Sequence, residues 1–313
     1  MPETMHIDSP RPNPQPKLSI VVVAYDMARE LPRTLQSLSP DYQKDVLPEE
    51  YEVMVIDNGS PAPLGEDLVC AHGSNFSYHY IQDAQPSPVT AMNTGVALTT
   101  GPIVCIMIDG ARLVTPGLIH YGLLAFKAFD DPVVGTLGWH LGPEKQQISV
   151  TKGYNQDIED SLLAEIEWPL DGYRLYDIAA PVGSSAKGWF NHAAESNALF
   201  VRRETFNDLG GYDPAFDRPG GELCNLDFYR RACERESSTV VNLIGEGTFH
   251  QIHGGISSNL SGWKSRRQFR KWTSRYKEIR GRPYAHPQKD AVFLGAFPPQ
   301  AIRHMAATLK EFI

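Results

Sequence analysis

Leu18 to Ala24 (LSIVVVA) is apolar but for Ser19 and rich in β-branched residues, the pattern of a strand buried on both faces of a parallel sheet. Between Arg29 and Leu38, Leu31, Leu35 and Leu38 recur at helical spacing. A second buried strand, Tyr51 to Ile56, stops at Asp57-Asn58-Gly59-Ser60, four strong turn formers. The alternation continues with a weak strand at Tyr78 to Ile81, a helix at Val89 to Leu98, and a strand at Ile103 to Ile108 that ends at Asp109-Gly110. Strands alternating with helices in this way predict βαβ units and a mostly parallel central sheet with flanking helices, an α/β fold.

After Gly138 the pattern loosens. Gly142 to Gly153 is polar, and Gly183 to His192 (GSSAKGWFNH) has the mixture of glycine, serine and aromatics expected of a binding loop. Ser196 to Val201 predicts a strand, Leu226 to Glu234 a helix, and Val240 to Ile244 a short strand that ends in GEGTFHQIHGG. From Lys264 to Arg282 there are nine basic residues and one acid, Glu278, with Phe269, Trp272, Tyr276 and Ile279 spaced by three and four. That is a basic amphipathic helix, and residues 261–313 are expected to form a C-terminal helical extension.

The chain has 313 residues and a net charge of −8, which suits one large domain or two ordinary ones and counts against nucleic acid as a partner. Hydrophobic residues at 42% and charged residues at 21% exclude a disordered or collagen-like protein. Four cysteines with no CxxC pair predict neither a zinc ribbon nor a disulfide scaffold, as in a reducing compartment. No apolar run is long enough for a bilayer, and the stretch before Leu18 has no leader-like core, so a cytoplasmic location is expected. Its five prolines make residues 1–16 a predicted flexible tail.

Open parallel α/β sheets bind ligands beyond the carboxyl ends of their strands. Three predicted strands end there in polar residues: Ala24-Tyr25-Asp26, Asp57-Asn58-Gly59 and Asp109-Gly110-Ala111-Arg112. A strand-terminating turn explains any one of them, but three in one half of the chain point to a ligand. Neither GxGxxG nor GxxxxGK[ST] is present, so no glycine-rich phosphate cradle is expected.

KLSIVVVAYDMARELPRTLQSL, YEVMVIDNGS, AMNTGVAL and IVCIMIDGARLVTPGLI resemble, in order, the nucleotide-sugar half of family 2 glycosyltransferases. ESNALFVRRETFNDLGGYDPAF and LDFYRRA resemble the acceptor half. The resemblance implies a GT-A fold over residues 17–260, with a donor half (17–115) and an acceptor half (116–260). It also implies inverting transfer of a sugar from a nucleoside-diphosphate sugar, UDP first among the bases, to a carbohydrate or lipid-linked acceptor, as in glycan or polysaccharide biosynthesis.

Carried over by motif, Ala24, Tyr25 and Asp57 surround the nucleotide, and Asn93 lines the donor site. Asp109 is the first aspartate of the DxD element that holds Mn²⁺ or Mg²⁺ on the diphosphate. Ala111 stands where the second aspartate belongs. Either one carboxylate serves the cation together with phosphate oxygens, or Arg112 neutralises the leaving group instead. His250 and His253 are further candidate metal ligands, His253 preferred, in what the glycines make a predicted loop. Asp227, with Arg231 in register behind it, and Glu222 compete for the role of general base, with Asp227 favoured. Glu195 and Asn197 are expected to position acceptor hydroxyls. The basic stretch 263–282 packs on the domain, contacts an anionic membrane surface, or closes over phosphate. The degraded DxD leaves a noncatalytic sugar-nucleotide or glycan-binding protein as the alternative.

Overall fold

The computed structural model describes residues 15–191, 193, 196–254 and 262–309, so most of the predicted tail lies outside the described residues. One sheet organises the chain. Its strands are β1 (Leu18–Ala24), β2 (Tyr51–Asp57), β3 (Phe76–Tyr80), β4 (Ile103–Met107), β5 (Arg112–Val114), β6 (Pro132–Leu141), β7 (Ala179–Pro181), β8 (Leu199–Arg202), β9 (Thr239–His250) and β10 (Ala291–Gly295). Their order is β10-β9-β6-β8-β4-β1-β2-β3, with β5 paired to β9 and β7 to β6. Neighbours on the main path run parallel except where β8 lies antiparallel between β4 and β6.

The apolar run of β1 is buried because both faces are covered. Ile20 and Val22 pack on Leu31, Leu35 and Leu38 of helix Leu31–Leu38, while Val21 and Val23 pack on Met92 and Val96 of helix Val89–Ala97. Gly95 lets that second helix approach closely: a Cβ there would lie 2.3 Å from Cγ1 of Val21. Asn93, two residues earlier, donates from its amide to the Tyr212 carbonyl at 2.9 Å and accepts from the Tyr212 N–H at 3.0 Å. That reciprocal pair ties helix Val89–Ala97 to the chain 119 residues later.

Three parts of the sheet depart from expectation. The loosening after Gly138 falls inside a fully buried ten-residue strand, β6, whose apolar run is interrupted by its glycines. Glycine also disguised β9, which continues through GEGTFH to His250 instead of ending at Ile244. Gly245, with φ +78°, absorbs an irregularity in the pairing with β6 between Gly135 and Leu137. The C-terminal region adds a parallel edge strand, β10, as well as helices.

The predicted binding loop, described over 183–191, sends Ser185 and Trp189 into the interior. Trp189 is fully buried with its ring 5.4 Å from that of Trp139, and the Ser185 hydroxyl accepts from the Gly138 N–H at 2.9 Å. Helix Gly262–Arg280 docks by the second half of its aromatic stripe. Tyr276 is buried against Phe216, and Trp272 and Ile279 pack on the same cluster, whereas Phe269 is half exposed. Among the described residues no helix is long and apolar enough to cross a membrane.

Candidate functional site

The parallel registers bring the carboxyl ends of β1, β2 and β4 side by side. Ala24 is level with Asp57, and Val22 with Met107. The Asn58 N–H donates to the Ala24 carbonyl and the Gly110 N–H to the Val23 carbonyl, each at 2.8 Å, so the three turns form one rim. Tyr25 stands on it 54% exposed. Asp57 does not lie open: Oδ1 accepts from the Ser60 N–H at 2.8 Å and Oδ2 from the Tyr78 hydroxyl at 2.9 Å. Ser60 in turn accepts from the Asp26 N–H at 2.8 Å. The Asp57 carboxylate therefore fixes the turn and couples it to the loop after β1.

At the next position along the rim, antiparallel pairing of β5 with β9 sets Arg112 opposite His250. This draws the Asp109 loop against the end of β9. His250 Nε2 lies 3.2 Å from Asp109 Oδ2, His253 Nε2 lies 3.7 Å from Oδ1, and the two Nε2 atoms are 3.1 Å apart. The ligand atoms of all three residues fall within 4.8 Å of one another.

His250 is fixed from behind. Its Nδ1–H donates to Gln146 Oε1 at 2.7 Å, and the Gln146 N–H donates to His140 Nδ1 at 3.0 Å. That bond leaves the Nε2 lone pair of His250 facing Asp109. A carboxylate and imidazole nitrogens converging in this way repel one another unless a proton or a cation lies between them. A carbonyl oxygen on the remote ring nitrogen is the arrangement that orients histidine as a metal ligand.

Burial opposes charge on His250 and pushes its pKa down to about 4. Burial also opposes ionisation of Asp109, but the neighbouring His250 and Arg112 outweigh it and hold the carboxyl well below its usual range. Arg112 Nε is 3.3 Å from Asp109 Oδ2, while its buried Nη1 has no hydrogen-bond partner among the described residues.

Ala111 explains the broken DxD. Its side chain is fully buried, its N–H donates to Asp109 Oδ1 at 3.1 Å, and its carbonyl accepts from the Gln251 N–H at 2.9 Å. An aspartate here would point into the interior, and the histidines supply the other ligand atoms of the cluster. His250 ends a strand, so the loop expected for it is corrected.

The segment bearing His253 is clamped by groups that the motifs did not reveal. The Ile252 N–H donates to Glu159 Oε2 at 2.8 Å, and Arg29 donates to the Ile252 carbonyl at 3.3 Å. Arg29 also pairs with Asp160 at 2.5 Å. These contacts span 93 to 223 residues, and no local spacing reports them.

The two candidate bases occupy different environments. Asp227 is 1% exposed and enclosed by guanidinium groups: Arg280 donates from Nε to Oδ1 at 2.7 Å and from Nη2 to Oδ2 at 2.6 Å, and Arg231 Nε donates to Oδ2 at 2.8 Å. Arg280 also reaches Asp213 at 2.6 Å, tying helix Gly262–Arg280 to the domain. Both Asp227 oxygens are thus paired, and the carboxylate is almost wholly removed from solvent.

Glu222 has a backbone strained for a residue with a Cβ (φ +52°, ψ −112°). Its side chain is 3% exposed, Oε2 has no hydrogen-bond partner among the described residues, and burial pushes its carboxyl up. The preceding Gly221 lies against Pro88, which begins helix Val89–Ala97: a Cβ on Gly221 would come within 3.1 Å of the proline ring. Asn93 is consumed by Tyr212, as described, and Asn197 is buried beside Gly138 of β6. Glu195 lies outside the described residues.

Residues 19–170 match the family model described as Glycosyl transferase family 2. Among solved structures, the chain is similar to S. aureus TarS. The 1–349 fragment of that protein aligns at 14% identity with a TM-score of 0.51, covering 84% of this chain and 72% of that one. The same fragment in complex with UDP aligns at 12% identity and TM-score 0.51, over 84% and 72%. In complex with UDP-GlcNAc it aligns at 12% and 0.50, over 83% and 66%. At these identities the likeness carries the fold alone. No curated protein sequence matches the chain.

Proposed function

Residues 19–170 belong to glycosyl transferase family 2 within a chain of GT-A fold, and from that premise we propose an inverting glycosyltransferase that uses a nucleoside-diphosphate sugar. The observation that carries this reading is the convergence of Asp109, His250 and His253, with Arg112 beside them, at the carboxyl ends of the parallel strands. A UDP-sugar is the proposed donor, because a similar fold binds UDP and UDP-GlcNAc.

Tyr25 offers an aromatic face to the base, and Asp57 holds the turn against which the nucleotide rests. Asp109, His250 and His253 would hold a divalent cation. Two imidazole nitrogens suit Mn²⁺ better than Mg²⁺, which favours oxygen ligands. The cation would supply positive charge to the diphosphate. Arg112, with an unpaired buried Nη1, is suited to hydrogen-bond the same oxygens in charge-assisted geometry.

Glu222 is assigned as the base. An acceptor hydroxyl attacks the anomeric carbon as the bond to the diphosphate oxygen breaks, and its proton passes to the Glu222 carboxylate. A carboxyl raised by burial is better matched to that task than one held by two arginines. Polymer or lipid-linked glycan synthesis is the proposed setting. The half-exposed Phe269 among Arg266, Arg267, Arg270 and Lys271 supports peripheral contact with an anionic membrane surface. Co-sedimentation with phosphatidylglycerol vesicles and not with phosphatidylcholine vesicles is the expected outcome; equal recovery with both would remove that contact.

A thermal-shift screen against UDP, GDP, CDP and dTDP sugars, each with EDTA, Mg²⁺ or Mn²⁺, tests the donor site. Ligand at 100 times its dissociation constant stabilises by about 2.7 kcal/mol. A Mn²⁺-dependent shift with a UDP-sugar, with release of UDP on turnover, is expected. Binding without release of UDP to water or any acceptor would favour the noncatalytic reading, and no shift with any nucleotide would sink the donor site.

A further inference from the structure

Between helix Gly262–Arg280 and the loop that ends in Glu222 lies a cavity of about 490 Å³. Its wall includes Arg218, Gln268, Lys271, Trp272, Arg275 and Glu222. We propose that this cleft is the acceptor site and that it selects a carbohydrate bearing a phosphate or carboxylate group. The word acceptor rests on the transferase reading above; the binding preference does not.

Three features support the assignment. Two buried polar atoms on the wall, Glu222 Oε2 and Arg275 Nε, have no hydrogen-bond partner among the described residues. Such atoms are costly to leave unpaired, and they are of the right kind to meet a sugar hydroxyl, one accepting and one donating. Trp272 adds an apolar ring of the sort on which the C–H face of a sugar stacks.

The charge then sets the class of ligand. Arg218, Lys271 and Arg275 face the cleft against two carboxylates, Glu222 and Glu278. Glu278 is occupied by Arg275 at 3.3 Å, Asp217 stands 3.9 Å from the same guanidinium, and Glu222 is 3.9 Å from Arg218. Arg218 is 66% exposed and Lys271 is exposed, so both are available to an anion at the mouth. Arg266, Arg267 and Arg270 continue the positive surface toward the start of the helix, which would let an extended anionic chain lie along it.

Chemical-shift titration of the Trp272 indole N–H, identified with Trp272→Phe, tests the proposal without requiring turnover. The probes are glucose, glucose 6-phosphate, glucuronate and inorganic phosphate. Glucose 6-phosphate and glucuronate are expected to move the signal at least about tenfold more tightly than glucose, a difference of about 1.4 kcal/mol. Arg218→Gln combined with Lys271→Gln, both exposed substitutions, should remove most of that advantage, as should high salt.

Equal affinity for glucose, an unmoved signal with every probe, or inorganic phosphate matching glucose 6-phosphate would overturn it. Binding of the anionic sugars by a protein that releases no nucleoside diphosphate would uphold the cleft and remove its acceptor role. Release that is insensitive to both substitutions on an anionic acceptor would place that acceptor elsewhere.

Discussion

Replacing Asp227 by asparagine separates two roles that the family motif alone cannot tell apart. In the folded protein its carboxylate accepts three short bonds from Arg280 and Arg231 while almost wholly removed from water. Removing one partner of a buried charge pair costs about 3–5 kcal/mol, because the other charge is left without compensation. Arg280 is partly exposed, with 22% of its side chain accessible, so water can recover some of that loss and the lower end applies. At roughly 2–4 °C per kcal/mol for a large domain, Asp227→Asn should lower the melting temperature by about 6–12 °C. Arg280→Met should do much the same, and the double variant should fall by clearly less than the sum, since the pair is removed together. Nucleoside diphosphate release, measured where every variant is still folded, should survive in Asp227→Asn and be lost in Glu222→Gln. A general base is worth about 10²–10⁴-fold in rate. If Asp227→Asn keeps its melting temperature and loses activity on that scale, the assignment of the base to Glu222 is wrong.

Other outcomes follow from the same geometry. Glu246, fully buried on β9 and accepting from the Tyr173 hydroxyl at 2.8 Å, is pushed up to about 7 by burial from a reference of 4.5. It therefore binds its proton more tightly folded than unfolded, so its contribution is present below about pH 4.5 and is lost as pH rises through about 7. Glu246→Gln should gain on the parent across that window by about 3 kcal/mol, read by denaturant unfolding at pH 5 and pH 8. Mn²⁺ should raise the melting temperature of the parent but not of His250→Ala. Gln146→Ala should weaken that Mn²⁺ response by about 10–100-fold in concentration while keeping the fold, and an unchanged response would show that Gln146 does not orient the ligand.

Sequence patterning was most readable where both faces of the sheet are covered. β1, β2 and β4 announce themselves as apolar runs, and each ends where a turn former marks the rim. β6 and β9 were harder because glycines at 135, 138, 245 and 247 interrupt their apolar character, although close packing requires them: a Cβ on Gly247 would lie 2.8 Å from the Trp139 indole nitrogen. β10 is partly exposed and supported by a single neighbour, so it carries no two-sided signal. At the site, Asp109 and the histidines were legible by motif and residue type. Gln146 was not, since its contact with His250 bridges 104 positions and its own neighbourhood reads as polar surface. The enclosure of Asp227, preferred as base for its register with Arg231, was hidden in the same way, because Arg280, which fills its environment, lies 53 residues downstream.

That separation also has a temporal meaning. During synthesis at about 5–20 residues per second, Arg280 emerges roughly 3–11 s after Asp227. Until then the helix carrying Asp227 cannot settle against the sheet without an incompletely neutralised carboxylate, and the cleft beside Glu222 has only one wall. The strands up to β6 precede that helix in the chain, whereas the cleft beside Glu222 gains its second wall only when helix Gly262–Arg280 has emerged. A chain interrupted in that interval, past His253, would carry Asp109, His250 and His253 but only one wall of the Glu222 cleft.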